Sequence, residues 1–358
     1  MNKEGFNKPG LFGLSYSNRD FSKRSSWGKN QFNSSFPVAV TCYLASKGID
    51  PVYLRINESL EVEHSTISNS SLFGLAHNDQ DLFFSFESDL PQYRTLAEPG
   101  IPRIDLVTMN SKTNESLMPI EIKLTAIPDN STCQRSEELY GSELVIRPDT
   151  IVYLALSIAE RTKEKTKRLE EILNPVCKQI KGWINASDVL PLMPALKEAM
   201  VNLSRELLKV QTPLVLQPIW KTQGKLPVFA DSCFDVFVWS DLAFTRLLLD
   251  QVGERDTTMT RPARSLIWII RMLHQFANTG RINHKEILSE SNYNAQTDKA
   301  FAVNGFITNR YMKSPRLLKP SISKYELKNI ILGGGHKYLS PERRLDAVIY
   351  YSDKLFEI

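Results

Sequence analysis

Cysteine is scarce in this chain, with four in 358 residues: Cys42, Cys133, Cys177 and Cys233. They lie far apart, so no pair has the spacing of a zinc site and no dense disulfide framework can hold a small secreted fold. The five histidines, His64, His77, His274, His284 and His336, show no metal-ligand spacing. No serine or cysteine stands in a recognisable nucleophile motif. An uninterrupted run of about 18 apolar residues, the minimum for a spanning helix, is absent. Residues 1–7 carry no apolar segment of a secretion signal. The expectation is a reduced, cytoplasmic protein with no membrane partner. Glycine clusters at Gly333-Gly334-Gly335, which lacks the pattern of a nucleotide-binding loop and reads as a turn.

What is present begins with a hydrophobic fraction of 42%, enough for a substantial core in one large domain or two. The formal net charge of +4 hides an asymmetry. Residues 1–31 hold six Lys/Arg against two acids, and residues 32–258 hold 22 against 30. Residues 259–344 hold 15 against five, a local +10 that calls for a polyanionic partner. The chain therefore divides into an irregular arm at 1–36, a core domain at 37–258, and a basic region at 259–358 expected to recognise DNA.

Along the core, Pro37 opens an amphipathic helix that Gly48 ends. Val52 to Ile56 reads as a strand, and Asp79 to Asp89 as a Phe-rich apolar element. Pro148-Asp149 begins a helix that is apolar on most faces. A charged helix follows at 160–173, and another spans roughly 194–210. Leu214 to Trp220 and Phe234 to Ser240 read as buried strands.

Two short apolar segments carry the chemistry. Ile104-Asp105-Leu106-Val107 and Pro119-Ile120-Glu121-Ile122-Lys123-Leu124 both read as strands, joined by the polar residues 109–116 into a hairpin. Strand alternation puts Glu121 and Lys123 on one face and Ile120, Ile122 and Leu124 on the other. The hairpin brings Asp105 beside them. Two carboxylates and an ammonium at the end of a small sheet suit a hard divalent cation. The same residues also satisfy a plainer arrangement, cross-strand charge partners on an edge strand.

The motif resembles that of the PD-(D/E)xK nuclease superfamily, an acid on one strand and acid-x-Lys on the next. Ile104 stands where the superfamily often has proline. Pro102 to Val107 and Met118 to Asp129, with Pro9-Gly10-Leu11-Phe12-Gly13-Leu14-Ser15, resemble the HindVP family of type II restriction endonucleases. The resemblance implies an α/β fold with a restriction-endonuclease-like core, a central mixed sheet flanked by helices, and an additional, mainly helical DNA-binding region. It implies Asp105, Glu121 and Lys123 as catalytic residues, with Asp105, Glu121 and the Ile122 carbonyl as ligands to Mg²⁺. A further acid often assists in this superfamily, and Glu87 and Glu98 are the upstream candidates, Glu87 the favoured one. The implied activity is a double-strand cut in DNA at a short palindrome, GRCGYC by resemblance alone. Implied partners are double-stranded DNA, a second copy of the chain matching the two-fold symmetry of the site, and a cognate DNA methyltransferase acting on the same sequence.

In the basic region, helical spacing puts Arg264, Trp268 and Arg271 on one face, close after Arg261. These arginines form either a phosphate-facing stripe or the snorkelling rim of a core helix. Arg281 precedes a further helix start. Asn304, Asn309, Arg310, Lys313 and Arg316 supply the donors and acceptors used on base edges and phosphates. Two other functions remain open: a less specific repair or recombination nuclease, and a non-catalytic DNA-binding protein in which the acidic pair is incidental.

Overall fold

The computed structural model describes residues 50, 52–68, 71–72, 82–110, 112–113, 116–120, 144–146, 148–216, 220–223, 226–229, 237–252, 259–291 and 301–303. The N-terminal arm, the helix expected from Pro37, and the residues from 304 onward, with the triple glycine, lie outside them.

Four strands form a mixed sheet: β1 (Val52–Ile56), β2 (Val62–Thr66), β7 (Pro213–Leu216) and β10 (Phe237–Ser240), in the order β2-β1-β10-β7. β1 runs parallel to β10, and the other two pairings are antiparallel. A second, antiparallel sheet holds β3 (Leu82–Ser88), β4 (Ile104–Asn110) and β5 (Ser116–Ile120), with β4 in the middle. β5 lies alongside β7, so the two sheets adjoin there. Two short antiparallel pairs complete the strands among the described residues: β6 (Leu144–Ile146) with β11 (Phe301–Val303), and β8 (Trp220–Gln223) with β9 (Leu226–Phe229).

The β4–β5 hairpin turns where the sequence predicts. Asn110 accepts hydrogen bonds at its Oδ1 from the backbone N–H of Lys112 (2.9 Å) and Thr113 (3.1 Å), the local closure that favours Asn at the start of a turn.

Helix α1 (Pro148–Thr162) opens on proline, whose missing N–H costs nothing in the first turn, and carries Asp149 against the positive end of the dipole. Its run from Ile151 to Ala159 is buried throughout, so it is a central helix and not a surface amphipath. α2 (Thr166–Cys177) and α4 (Met193–Leu207) pack together, with the short α3 (Ala186–Val189) between them in the chain. α5 (Asp241–Gln251) follows β10 directly. Ser240 caps it by accepting from the Ala243 N–H at 2.9 Å.

Among the described residues the longest helix is α6 (Arg261–Thr279), capped by the Thr260 hydroxyl and ended by Gly280 at φ 74°, where the Gly280 N–H reaches the Phe276 carbonyl at 2.7 Å. That left-handed position suits glycine because it has no Cβ to clash. α6 packs on α1, α2 and α5, and Leu266, Ile267, Ile269, Ile270 and Leu273 are all fully buried. Each such side chain contributes about 1.5–3 kcal/mol of transfer free energy. Residues 259–291 thus share the core built by the sheets and α1, with no separate core of their own. The short α7 (His284–Glu290) follows. Among the described residues no helix is long and apolar enough to cross a membrane.

Candidate active site

Asp105 occupies the second position of β4, the central strand of the three-stranded sheet. Its immediate neighbour Ile104 is 4% exposed and Val107 is fully buried, so the strand is anchored on both sides of it. Glu87 lies in β3. Phe86 pairs with Leu106 and Ser88 with Ile104, so the residue between them, Glu87, falls directly opposite Asp105. The sheet brings these two sequence-selected acids together across a single ladder. On the other side, β4 and β5 pair through Val107–Pro119 and Leu106–Ile120. Leu106–Ile120 is the last pair among the described residues, next to Asp105 on one strand and to Glu121 on the other. Glu121, Ile122 and Lys123 lie outside the described residues, and the side chains of Glu87 and Asp105 are not among those described.

Glu98, the other candidate acid, stands apart from this ladder. It is exposed, and its N–H donates to the Ile282 carbonyl at 3.0 Å, part of the bridge between Ala97 and Ile282. Among the described residues no cluster of His, Cys, Asp or Glu side chains is arranged to hold a metal ion.

The basic candidates divide. Arg261 begins α6. Arg264 is 3% exposed, with its guanidinium 5.1 Å from the Trp268 ring centroid. Arg271 donates to the Ser291 hydroxyl at 2.6 Å, pairs with Glu290, and lies 5.9 Å from the Trp183 ring. These are the contacts of a core helix whose arginines fold back onto protein partners, the second of the two arrangements that the sequence allows. A guanidinium buried over an indole in the free protein is not presented to a phosphate. Arg281 is exposed and donates to the Ala97 carbonyl at 3.3 Å. Asn304, Asn309, Arg310, Lys313 and Arg316 lie outside the described residues.

Sequence reasoning missed the buried polar centre that ties α1 to the mixed sheet. Asp241, fully buried at the start of α5, pairs with Arg161 of α1 and accepts from the Ser157 hydroxyl at 2.7 Å. The backbone N–H groups of Leu242 (2.8 Å) and Thr212 (3.2 Å) complete its shell. Burial pushes this carboxyl up from its ordinary value, and Arg161 and the hydrogen bonds pull against that shift. Beside it, Gln211 accepts from the Ile56 N–H (3.0 Å) and the Ser240 hydroxyl (2.7 Å) and donates to the Ile56 carbonyl (2.8 Å). The Tyr53 hydroxyl donates to the Gln211 carbonyl at 3.2 Å, and burial raises its pKa. This network holds β1, β10 and α5 in place. No local pattern marks it, because its members come from segments up to 158 residues apart.

A groove of about 560 Å³ runs between α2 and α4, lined by Arg168, Glu171, Glu198, Arg205 and Glu206 among others. It belongs to a different part of the fold from the β3–β4–β5 sheet. Arg168 there is already paired with Glu171 and Glu206. The acid ladder is the better candidate for chemistry.

A family model described as HindVP restriction endonuclease matches residues 27–356. "Type II restriction enzyme HgiDI" of Herpetosiphon aurantiacus is 44% identical over 355 residues, covering 99% of each chain. "Probable type II restriction enzyme HindVP" of Haemophilus influenzae is 45% identical over 351 residues, 98% of this chain and 95% of that one. No solved structure matches this chain. Identity at this level, sustained from end to end, is a property of relatives with one fold, and the chain belongs to the HindVP restriction endonuclease family.

Proposed function

We propose that this protein is a type II restriction endonuclease that makes Mg²⁺-dependent double-strand cuts in DNA at a short palindromic site of the GRCGYC kind. Membership of the family and relatives named as type II restriction enzymes support the class of activity. The observation that carries the site assignment is the register of the central β4 strand. Glu87 stands opposite Asp105 on one side, and on the other the last described pair is Leu106–Ile120. One further pair in the same register would set Asp105 against Glu121.

Two carboxylates directly opposite on a sheet repel unless a cation lies between them. That charge pattern, with oxygen donors only, fits a hard divalent ion. In the proposal Asp105, Glu121 and the Ile122 carbonyl hold Mg²⁺, with Glu87 as an auxiliary acid. Bound there, Mg²⁺ would neutralise charge on the scissile phosphate and lower the pKa of a coordinated water. Lys123 would orient the attacking water and stabilise the negative charge that develops in the transition state. The neighbouring carboxylates favour the charged ammonium, so an electrostatic role suits Lys123 better than that of a free base. A palindrome presents the same bases and scissile phosphates twice, and a homodimer on DNA would place one site on each strand. A methyltransferase acting on the same sequence would be its functional partner.

Digestion of plasmid DNA with and without Mg²⁺ tests the reading. Discrete fragments that need the metal are expected, and sequencing their ends gives site and stagger. Asp105→Ala, Glu121→Ala and Lys123→Ala should each abolish cleavage while leaving DNA binding in Ca²⁺ intact. A smear in place of bands would point to the unspecific nuclease. Binding without any cutting would leave a DNA-binding protein.

A further inference from the structure

We propose that Arg103 anchors the DNA phosphate next to the scissile one. The inference rests on the assignment of Asp105 to the cleavage site. Arg103 stands two residues before Asp105 on the extended segment that becomes β4. Two extended residues span about 7 Å, the scale that separates neighbouring phosphates on one strand.

The backbone under Arg103 is rigid. Pro102 fixes its own φ, Ile101 packs against the core, and Ile104 is 4% exposed. Tyr93 and Tyr153, both buried, line a small cavity beneath Ile104 and Arg103. The side chain itself is exposed, and among the described residues it forms no ion pair or hydrogen bond.

Its neighbours explain why. Asp89 is occupied by Arg94, which donates to it through two nitrogens at 2.7 and 2.5 Å and holds the carboxyl below its ordinary value. Asp149, on the wall of the same cavity, sits in the first turn of α1, where the helix dipole offsets its charge. Asp89 feels the charge of Arg103 only after that of Arg94, which holds it by hydrogen bonds, so the exposed Arg103 guanidinium on its extended backbone is preorganised for a bidentate phosphate contact.

The test measures binding of the full chain in Ca²⁺ to a short duplex carrying the mapped cleavage site, or GACGTC should no cut be seen. Affinity is followed through a salt series, then with duplexes in which one phosphate at a time is a neutral methylphosphonate. Arg103→Ala should weaken binding about tenfold and flatten the log–log salt slope by about 0.9. It should also be insensitive to the one methylphosphonate, beside the scissile position, that weakens wild-type binding. Arg103→Lys should keep the slope and lose only part of the affinity, because the charge remains and the fork is gone. An unchanged slope, or equal sensitivity of wild type and Arg103→Ala to every methylphosphonate, overturns the inference and leaves the nuclease reading untouched. Loss of slope in a protein that binds DNA but never cuts it would support Arg103 as a phosphate contact and sink the nuclease reading.

Discussion

Glu87 stands directly across the β3–β4 ladder from Asp105, set there by the Phe86–Leu106 and Ser88–Ile104 pairs on either side. Two acids at opposed positions of one ladder destabilise a sheet in the absence of a cation and favour it in the presence of one. Mg²⁺ should therefore raise the melting temperature of the wild-type protein. Glu87→Gln should remove part of that rise while leaving the metal-free protein as stable or more so. Cleavage by Glu87→Gln should need more Mg²⁺ and run at least about tenfold slower at limiting metal. Thermal melts with EDTA and with Mg²⁺ check this, and identical metal responses in the two proteins would remove Glu87 from the site.

Arg264 and Arg261 should behave as different kinds of residue although they sit on one helix. Arg264 is buried over Trp268, so Arg264→Ala should cost about 1–3 kcal/mol of stability and leave the salt dependence of DNA binding unchanged. Arg261 begins the helix, and its role on DNA is decided by the same measurement. Arg261→Ala should flatten the log–log slope by about 0.9 if it meets a phosphate. Denaturant melts beside salt titrations of binding separate the two effects. A flattened slope for Arg264→Ala would mean that α6 rearranges on DNA.

The Arg161–Asp241 pair should dominate the stability of the α1–sheet junction. Asp241→Ala strands the Arg161 guanidinium, which is 12% exposed, and should cost about 3–5 kcal/mol. Replacing both, as Arg161→Met with Asp241→Leu, should recover much of that loss, because no unpaired charge is left inside. Chemical denaturation of the single and double variants tests it. An additive double variant would show that the pair is not coupled.

Stability should fall as pH drops through the ordinary histidine range. Burial holds the His284 ring below its usual value near 6.5, with Lys285 adding to the shift and Asp149 opposing it. The unfolded chain takes up a proton near 6.5 that the folded ring refuses, so this contribution is present above that pH and lost below it. His64 and His274 are lowered by burial too and act in the same sense. The raised pKa of Asp241 acts oppositely, in the range above the ordinary carboxylate value. His284→Gln should therefore show a shallower loss of melting temperature between about pH 7.5 and 5.5. Equal slopes in variant and wild type would mean that His284 protonates within the folded state.

Local pattern by itself determined several elements of this protein. β-branched runs bounded by prolines and turn residues marked β1 at its exact span and the start of β4, while the second hairpin strand, expected at 119–124, is described only to Ile120 and begins earlier, at Ser116. Proline at the first turn marked α1, and the 3.6-residue apolar period marked α4 and α6. Those signals are local because the hydrogen bonds they serve close within a few residues. The strand that carries Asp105 was likewise legible, whereas Glu121 and Lys123 lie outside the described residues.

Only the tertiary structure decided which strand lies beside β4 on its far side. β3 could be recognised as a Phe-rich apolar element, but its register against β4, which sets Glu87 opposite Asp105, depends on pairing between segments that no short-range period links. The direction of the α6 arginines was undecided for the same reason. A helical period places Arg264 and Trp268 on one face, yet whether that face meets solvent or core is settled by what α1, α2 and α5 bring against it. The Asp241 centre left no trace in the sequence, because a buried carboxylate is tolerated only where distant donors converge on it, and that convergence exists only once the chain has folded.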